Sequence, residues 1–130
     1  MLSLTRRSAL IGLSAVTLPV AVTASKAAVS DPLLAKIREY QRGLDAFNRM
    51  AGDFDDDEWN ALASRTYGGP LDELTEWTAP AVTLEGAIEA LRISQTDDGG
   101  VYGCDAADRM VEAALGYLRH QASLQRGNIR

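Results

Sequence analysis

The sequence predicts a small all-α domain, a bundle of three to four helices built from a helical hairpin and two further helices. Apolar residues recur at spacings of three and four along separate stretches, which is the period of an amphipathic helix. Capping residues, Gly or Pro separate these stretches. No stretch shows the sustained alternation with β-branched residues that marks a half-buried strand. The 130 residues are enough for one modest domain.

The first predicted helix opens at Ser30-Asp31-Pro32 and is ended by Gly52. Ser30 or Asp31 can cap it, and Pro32 suits its first turn. Gly43 weakens the helix slightly. Six apolar residues form its buried stripe: Leu33, Ile37, Tyr40, Leu44, Phe47 and Ala51.

Two helical pieces are predicted next, at about 55–67 and 70–77. An acidic turn precedes them, where the helix dipole favours negative charge. Gly68, Gly69 and Pro70 break or kink the run between the pieces. The pieces can form one bent helix that packs antiparallel against the first helix. Their apolar positions are Trp59, Leu62, Ala63, Thr66, Leu71, Leu74 and Trp77.

The last two helices are predicted at about 84–94 and 106–122, and they complete a helical domain at 31–122. Thr83 caps the first of them, and Gly86 lets another backbone approach it closely. The expected buried residues of the first are Leu84, Ala87, Ile88 and Leu91. Those of the second are Met110, Val111, Ala114, Leu115 and Leu118. Asp105 can cap the last helix, and residues 123–130 are expected to fray.

Charge is distributed unevenly along the chain. The formal net charge is −5, which argues against nucleic acid as a partner. Residues 53–108 hold 14 acidic residues against only Arg65 and Arg92. This asymmetry suits self-association or a basic protein partner, and it also suits plain solubility.

Catalytic chemistry has few candidate residues. The single cysteine, Cys104, and the single histidine, His120, lie about 24 Å apart if the last helix is straight, so they cannot form a nucleophile–base pair. A loop thiol is the simple interpretation of Cys104, and an intermolecular disulfide is the alternative. His120 is interpreted as a surface residue.

The acidic turn resembles the opening of a calcium loop through Asp53, Asp55 and Asp57. Glu58 stands where that loop needs a glycine, so the pattern fails. The sequence therefore predicts no metal and no cofactor, and it favours a non-catalytic protein over an enzyme.

Trp59 and Trp77 are 18 residues apart, which equals five helical turns. On a continuous helix the two indoles would share a face. Core packing accounts for such a pair, and an exposed aromatic patch for a partner is the alternative.

The N-terminus predicts an export segment. Arg6 and Arg7 precede a charge-free run at 8–24, which is the order of a signal peptide. The small residues Val22 and Ala24 predict cleavage after Ala24, with cleavage after Ala27 as the alternative. Residues 1–24 would then be the signal peptide and 25–30 a linker. Removing both arginines would change the net charge from −5 to −7.

The segment Thr5-Arg6-Arg7-Ser8-Ala9-Leu10 resembles the twin-arginine export motif, (S/T)-R-R-x-F-L-K, with Ala9 in place of Phe. The resemblance implies transport by the twin-arginine machinery, only transient contact with the membrane and a periplasmic or secreted protein. It also raises the expectation of a bound cofactor, because this route often exports cofactor-bearing proteins. The alternatives are an ordinary secretory signal, an inner-membrane anchor, or an uncleaved N-terminus in the cytoplasm.

The stretch from Trp77 to Ala87, followed by Leu91-Arg92, resembles small uncharacterised helical proteins of bacteria and prophages. Those proteins have no settled activity, so the resemblance assigns no catalytic residue. The leading hypothesis is an exported helical protein with a binding or assembly role. The alternatives are a cofactor-carrying or hydrolytic periplasmic protein, and a cytoplasmic prophage-type protein.

Overall fold

A computed structural model describes residues 29–129, and within them the predicted all-α bundle is confirmed. The predicted signal peptide, with Arg6, Arg7 and Ala24, lies outside these residues. The elements are α1 (Pro32–Met50), α2 (Asp56–Ala63), a π-helical turn (Ser64–Gly68), α3 (Gly69–Thr75), α4 (Leu84–Ser94) and α5 (Asp105–Ile129).

The predicted first hairpin is formed by α1 and the run from α2 through α3. Phe47 near the end of α1 packs on Trp59 of α2, with ring centroids 5.3 Å apart. Lys36 near the start of α1 forms an ion pair of 3.0 Å with Glu73 of α3. The late part of one arm therefore lies against the early part of the other, so the arms are antiparallel.

A π-helical turn connects α2 to α3 without interruption, where Gly68, Gly69 and Pro70 predicted a break or kink. A Cβ added at Gly43 of α1 would lie 2.6 Å from the backbone oxygen of Thr66 in this turn. No real Cβ contact is that short, so Gly43 allows the two backbones to touch. Gly43 therefore permits close packing of the two backbones. This packing outweighs the slight loss of helix stability that the sequence predicts for a glycine at this position.

The second hairpin consists of α4 and α5, joined by a loop at residues 95–104. The amide of Ala81, just before α4, donates to the carbonyl of Ala113 in α5 at 3.0 Å. At the other end of α4, the amide of Val101 donates to the carbonyl of Ile93 at 2.8 Å. These bonds fix the connector and the loop at opposite ends of an antiparallel pair.

Asp31 joins the two hairpins. Its Oδ1 accepts from the amide of Leu33 at 3.1 Å and caps α1. Its Oδ2 accepts from the amides of Val82 and Thr83, at 3.3 and 3.1 Å, and from the Thr83 hydroxyl at 2.7 Å. Thr83 Oγ1 in turn accepts from the amide of Gly86 at 2.9 Å and caps α4. One carboxylate, only 7% exposed, thus holds the starts of two helices together.

Tyr40 fastens the α4–α5 loop to the core. Its side chain is buried, and its hydroxyl donates to the carbonyl of Gly100 at 2.9 Å. Burial, together with the nearby Cys104 and Tyr67, raises the pKa of Tyr40 from 10.0 to about 12.

The buried face of the second hairpin differs from the prediction. The buried residues of α4 are Gly86, Ala87, Ala90, Ile93 and Ser94. Leu84, Ile88 and Leu91, predicted to be buried with Ala87, are 54%, 52% and 36% exposed. In α5, Met110 and Ala114 are buried as predicted, whereas Leu115 and Leu118 are 37% and 43% exposed. Small residues occupy the buried face of α4 because they let this helix approach Asp31. A Cβ at Gly86 would collide with Asp31 Oδ2.

Helix α5 reaches Ile129, beyond the predicted end at residue 122, whereas the fraying of 123–130 stays a prediction. The extension has a local reason, because Ala122, Leu124 and Arg126 are strong helix formers. A single interior glycine, Gly127, costs a helix only about 1 kcal/mol. Residues 122–128 are all exposed, and they are called the α5 overhang below.

We expect Asp31→Ala to lower the free energy of unfolding by about 3 kcal/mol, since it removes a helix cap and leaves amides of the second hairpin without their acceptor. The matched control is Asp55→Ala, which removes the exposed cap of α2. This control should cost only about 1 kcal/mol. Urea unfolding followed by circular dichroism measures both. Equal losses would show that Asp31 is an ordinary cap.

The pKa of Tyr40 is higher in the folded chain than in the unfolded chain, so its contribution to stability is complete below pH 10.0 and is lost as the pH rises towards about 12. Tyr40→Phe should therefore flatten the fall of the unfolding free energy with pH across that window. Tyr102→Phe, at a residue 60% exposed, should leave the slope unchanged. Urea titrations at several alkaline pH values test this, and identical slopes for all three chains would contradict it.

Candidate functional site

Trp59 lies at one end of the first hairpin in an aromatic cluster. It packs on Phe47 and on Phe54, with ring centroids 5.3 and 5.6 Å apart. Phe47 also contacts Tyr67 edge to face, with centroids 5.2 Å apart. Trp59 is half-buried, so its role here is to close the end of the hairpin.

Trp77 lies two residues beyond the end of α3 and packs against the main core. Its Nε1 is buried and has no hydrogen-bond partner among the described residues. The side chain borders a shallow groove with Glu73, Glu76 and Thr78. Because the π-helical turn and the helix end intervene, the two tryptophans do not share a helix face. A partner surface at Trp59 and Trp77 stays a prediction.

The candidate catalytic residues remain apart. Cys104 is an exposed thiol directly before α5. His120 is exposed on α5, sixteen residues after Cys104, which is about 24 Å along the helix. In the described part of the chain, no cluster of three or more His, Cys, Asp or Glu side chains could hold a metal ion.

The acidic turn serves as a helix start. Asp55 Oδ1 accepts from the amide of Glu58 at 2.8 Å, and Glu58 Oε1 accepts from the amide of Asp55 at 2.9 Å. This is a capping box, so Asp55, one of the three carboxylates that resemble a calcium loop, binds a backbone amide.

The most prominent surface feature is an apolar face on the second hairpin. Its members share an exposure of 36% to 54%, and they are Leu84, Ile88 and Leu91 of α4 with Leu115 and Leu118 of α5. We call these five residues the outer apolar face. They leave on the order of 400 Å² of apolar surface uncovered, a size typical of functional patches.

Both halves of the outer apolar face point away from the first hairpin. On α4, its residues lie about 150° around the helix from Gly86, which packs against Asp31. On α5, Leu115 and Leu118 lie about 120° or more from Arg109, whose Nε donates to the carbonyl of Thr75 in α3 at 3.3 Å. Helices α4 and α5 pack against each other, so both stripes lie on the same hairpin and face away from the first one.

Charged side chains line α5 beside this face at intervals of seven residues. They are Asp105, Glu112, Arg119 and Arg126, all exposed, and we call them the charged edge. The two residues towards the N-terminus of the helix are acidic and the two towards its C-terminus are basic. Glu112 has a long ion pair of 3.7 Å with Arg109 of its own helix.

The ion pair on α4 is tighter. Arg92 Nη2 lies 2.7 Å from Glu89 Oε1. The hydrogen bonds from Arg92 lower the pKa of Glu89, and the carboxylate raises the pKa of Arg92. Both groups therefore keep their charges over a wide pH range.

One signal of this surface is present in the sequence. On α4 and on α5, two sets of small or apolar residues recur at helical spacing. Only one set on each helix can face the core. Large side chains suggest burial by their hydrophobicity, so the pattern favoured the leucines. On α4 the contact with Asp31 turns Gly86 inward and leaves Leu84, Ile88 and Leu91 exposed.

Comparison of the chain with protein-family models, with curated proteins and with solved structures finds no match. Within residues 29–129, none of the helices has the length and apolar character needed to cross a membrane.

Truncation of Ile88 and of Ile93 should have very different effects on stability. Ile88 is 52% exposed and Ile93 is fully buried one and a half turns further along α4. We expect Ile93→Ala to cost about 3 kcal/mol and Ile88→Ala to cost about 0.5 kcal/mol in the monomer. Urea unfolding at low protein concentration measures both values. Comparable losses would place Ile88 in the core.

Proposed function

We propose that this chain is a small exported helical protein that acts by binding or assembly and not by catalysis. The outer apolar face is the observation that carries the proposal. In the same domain the candidate catalytic residues Cys104 and His120 remain separate. Contiguous apolar surface of this size is costly in water, and proteins retain it where a partner covers it.

The cellular location is proposed from the N-terminal sequence. Arg6, Arg7 and the run at 8–24 support export by the twin-arginine machinery to the periplasm or beyond, with cleavage after Ala24. This route carries folded proteins. A domain whose two hairpins are joined through Asp31 suits such transport.

The partner is proposed to be a second copy or a basic protein. The acidic residues 53–108 and the apolar face are the features that such a partner would meet. The described residues support no nucleic-acid partner, because their excess of acidic side chains would repel phosphates.

The export proposal is tested by the intact mass of the chain recovered from each cell fraction of its host. We expect a species that starts at Ser25, is lighter than the full chain by about 2.5 kDa, and lies outside the cytoplasm. Replacing both Arg6 and Arg7 by Lys keeps the charge, so it should block only the twin-arginine route.

Each other outcome has a definite meaning. Unchanged processing of the Lys variant would assign an ordinary secretory signal. A full-length species in the membrane would make the N-terminus an anchor, and one in the cytoplasm would overturn the proposed address. A stoichiometric metal or chromophore in the native protein would favour the cofactor-carrying alternative over a binding role.

A further inference from the structure

We propose that the outer apolar face binds a second copy of this chain, with the two α5 helices packed antiparallel about a two-fold axis near Leu115. This inference rests on the binding or assembly role proposed above and names its partner. The argument uses the spacing of the apolar residues, the order of the charges, the area available and the length of α5.

The spacing on α5 is that of a coiled-coil seam. Val111, Leu115, Leu118 and Ala122 are separated by four, three and four residues, which places them at alternating d and a positions of a heptad. Val111 is half-buried and the other three are exposed. The described chain therefore presents a short seam that is exposed at Leu115, Leu118 and Ala122 and partly covered at Val111.

The charges select an antiparallel partner. In this heptad the charged edge occupies successive e positions, beside the seam. Antiparallel packing centred between residues 115 and 116 sets Glu112 opposite Arg119 of the second copy, and Asp105 opposite its Arg126. Both pairs then form twice by symmetry. Parallel packing would set these e positions opposite the g positions Ala107, Ala114 and Gln121, so the charges would form no pairs.

The available area suits a stable pair. Specific interfaces bury about 800 Å² per partner, and somewhat more than half of that area is apolar. The outer apolar face supplies on the order of 400 Å² of apolar surface. The charged edge and the α5 overhang supply a polar rim.

The α5 overhang has a place in this arrangement. Residues 122–128 extend past the body of their own domain and are exposed throughout, with Leu124 50% exposed. Antiparallel packing carries each overhang alongside the other copy, at the level of its Ile88 and Leu91. The overhang would thus cover the part of the face that lies on α4.

The experiment is sedimentation velocity on the full chain between about 5 and about 200 µM, the range that resolves micromolar dissociation constants. We expect a concentration-dependent species of twice the 14.0 kDa chain mass. Glu112→Arg and Arg119→Glu should each weaken the pair about tenfold or more, because each sets like charges opposite one another. The double variant should recover the affinity of the natural chain.

The matched control is Asp97→Arg, which makes the same change of charge at an exposed loop residue and should leave the affinity unchanged. Circular dichroism melts at low concentration confirm that each variant is folded. Leu118→Glu, placed in the seam, should give a folded monomer.

Three results would overturn the proposal. The natural chain could remain monomeric at the highest concentration. It could pair while the double variant fails to recover. It could pair only after residues 1–24 are removed, which would make the chain's own N-terminus the occupant. Recovery of a monomer in processed form outside the cytoplasm would reject the second copy and leave the export proposal standing.

Discussion

The fold depends on the carboxylate of Asp31. A buried carboxylate is stable only when its oxygens are satisfied, and here they accept four hydrogen bonds from two helix starts and their connector. Because Val82 and Thr83 are 51 and 52 residues away in sequence, the bonds that they donate fix how the second hairpin meets the first. The carboxylate also requires a residue without a Cβ at position 86. The cap of α1 therefore determines which residue α4 can have at that position.

The surface chemistry follows from this attachment. Once Gly86 faces Asp31, the rotation of α4 about its axis is set, and Leu84, Ile88 and Leu91 must point outward. The residues that α4 and α5 contribute to the core are then largely alanines with Ile93 and Met110, and alanines bury little apolar area for each residue. The larger apolar side chains are displaced to the outside, where they can stabilise an assembly. The same geometry that closes the domain therefore creates its proposed binding face.

The helices, their order and most of their boundaries could be predicted because they depend on neighbours within one or two turns. Thr83 before residues 84–94 is such a case, since cap and helix are adjacent in sequence. The burial of α1 was also predictable, because it has only one apolar stripe. On α4 two stripes compete, and the choice between them depends on Asp31, which is far away in sequence. The candidate site lies on the stripe that faces away from the core. The sequence pattern instead favoured Trp59 and Trp77 as a partner surface.

The sequence by itself determined that this chain forms α-helices, where they start, and that an acidic middle segment separates more basic ends. These properties follow from periodicity, capping and composition, which act locally. Only the tertiary structure decided that Gly43 and Gly86 are contact points, that the leucines of α4 are exposed and that the tryptophans lie apart. Each of these depends on which backbone or carboxylate approaches a given helix. That approach is set by hydrogen bonds and packing between segments far apart in the chain, which local patterns do not encode.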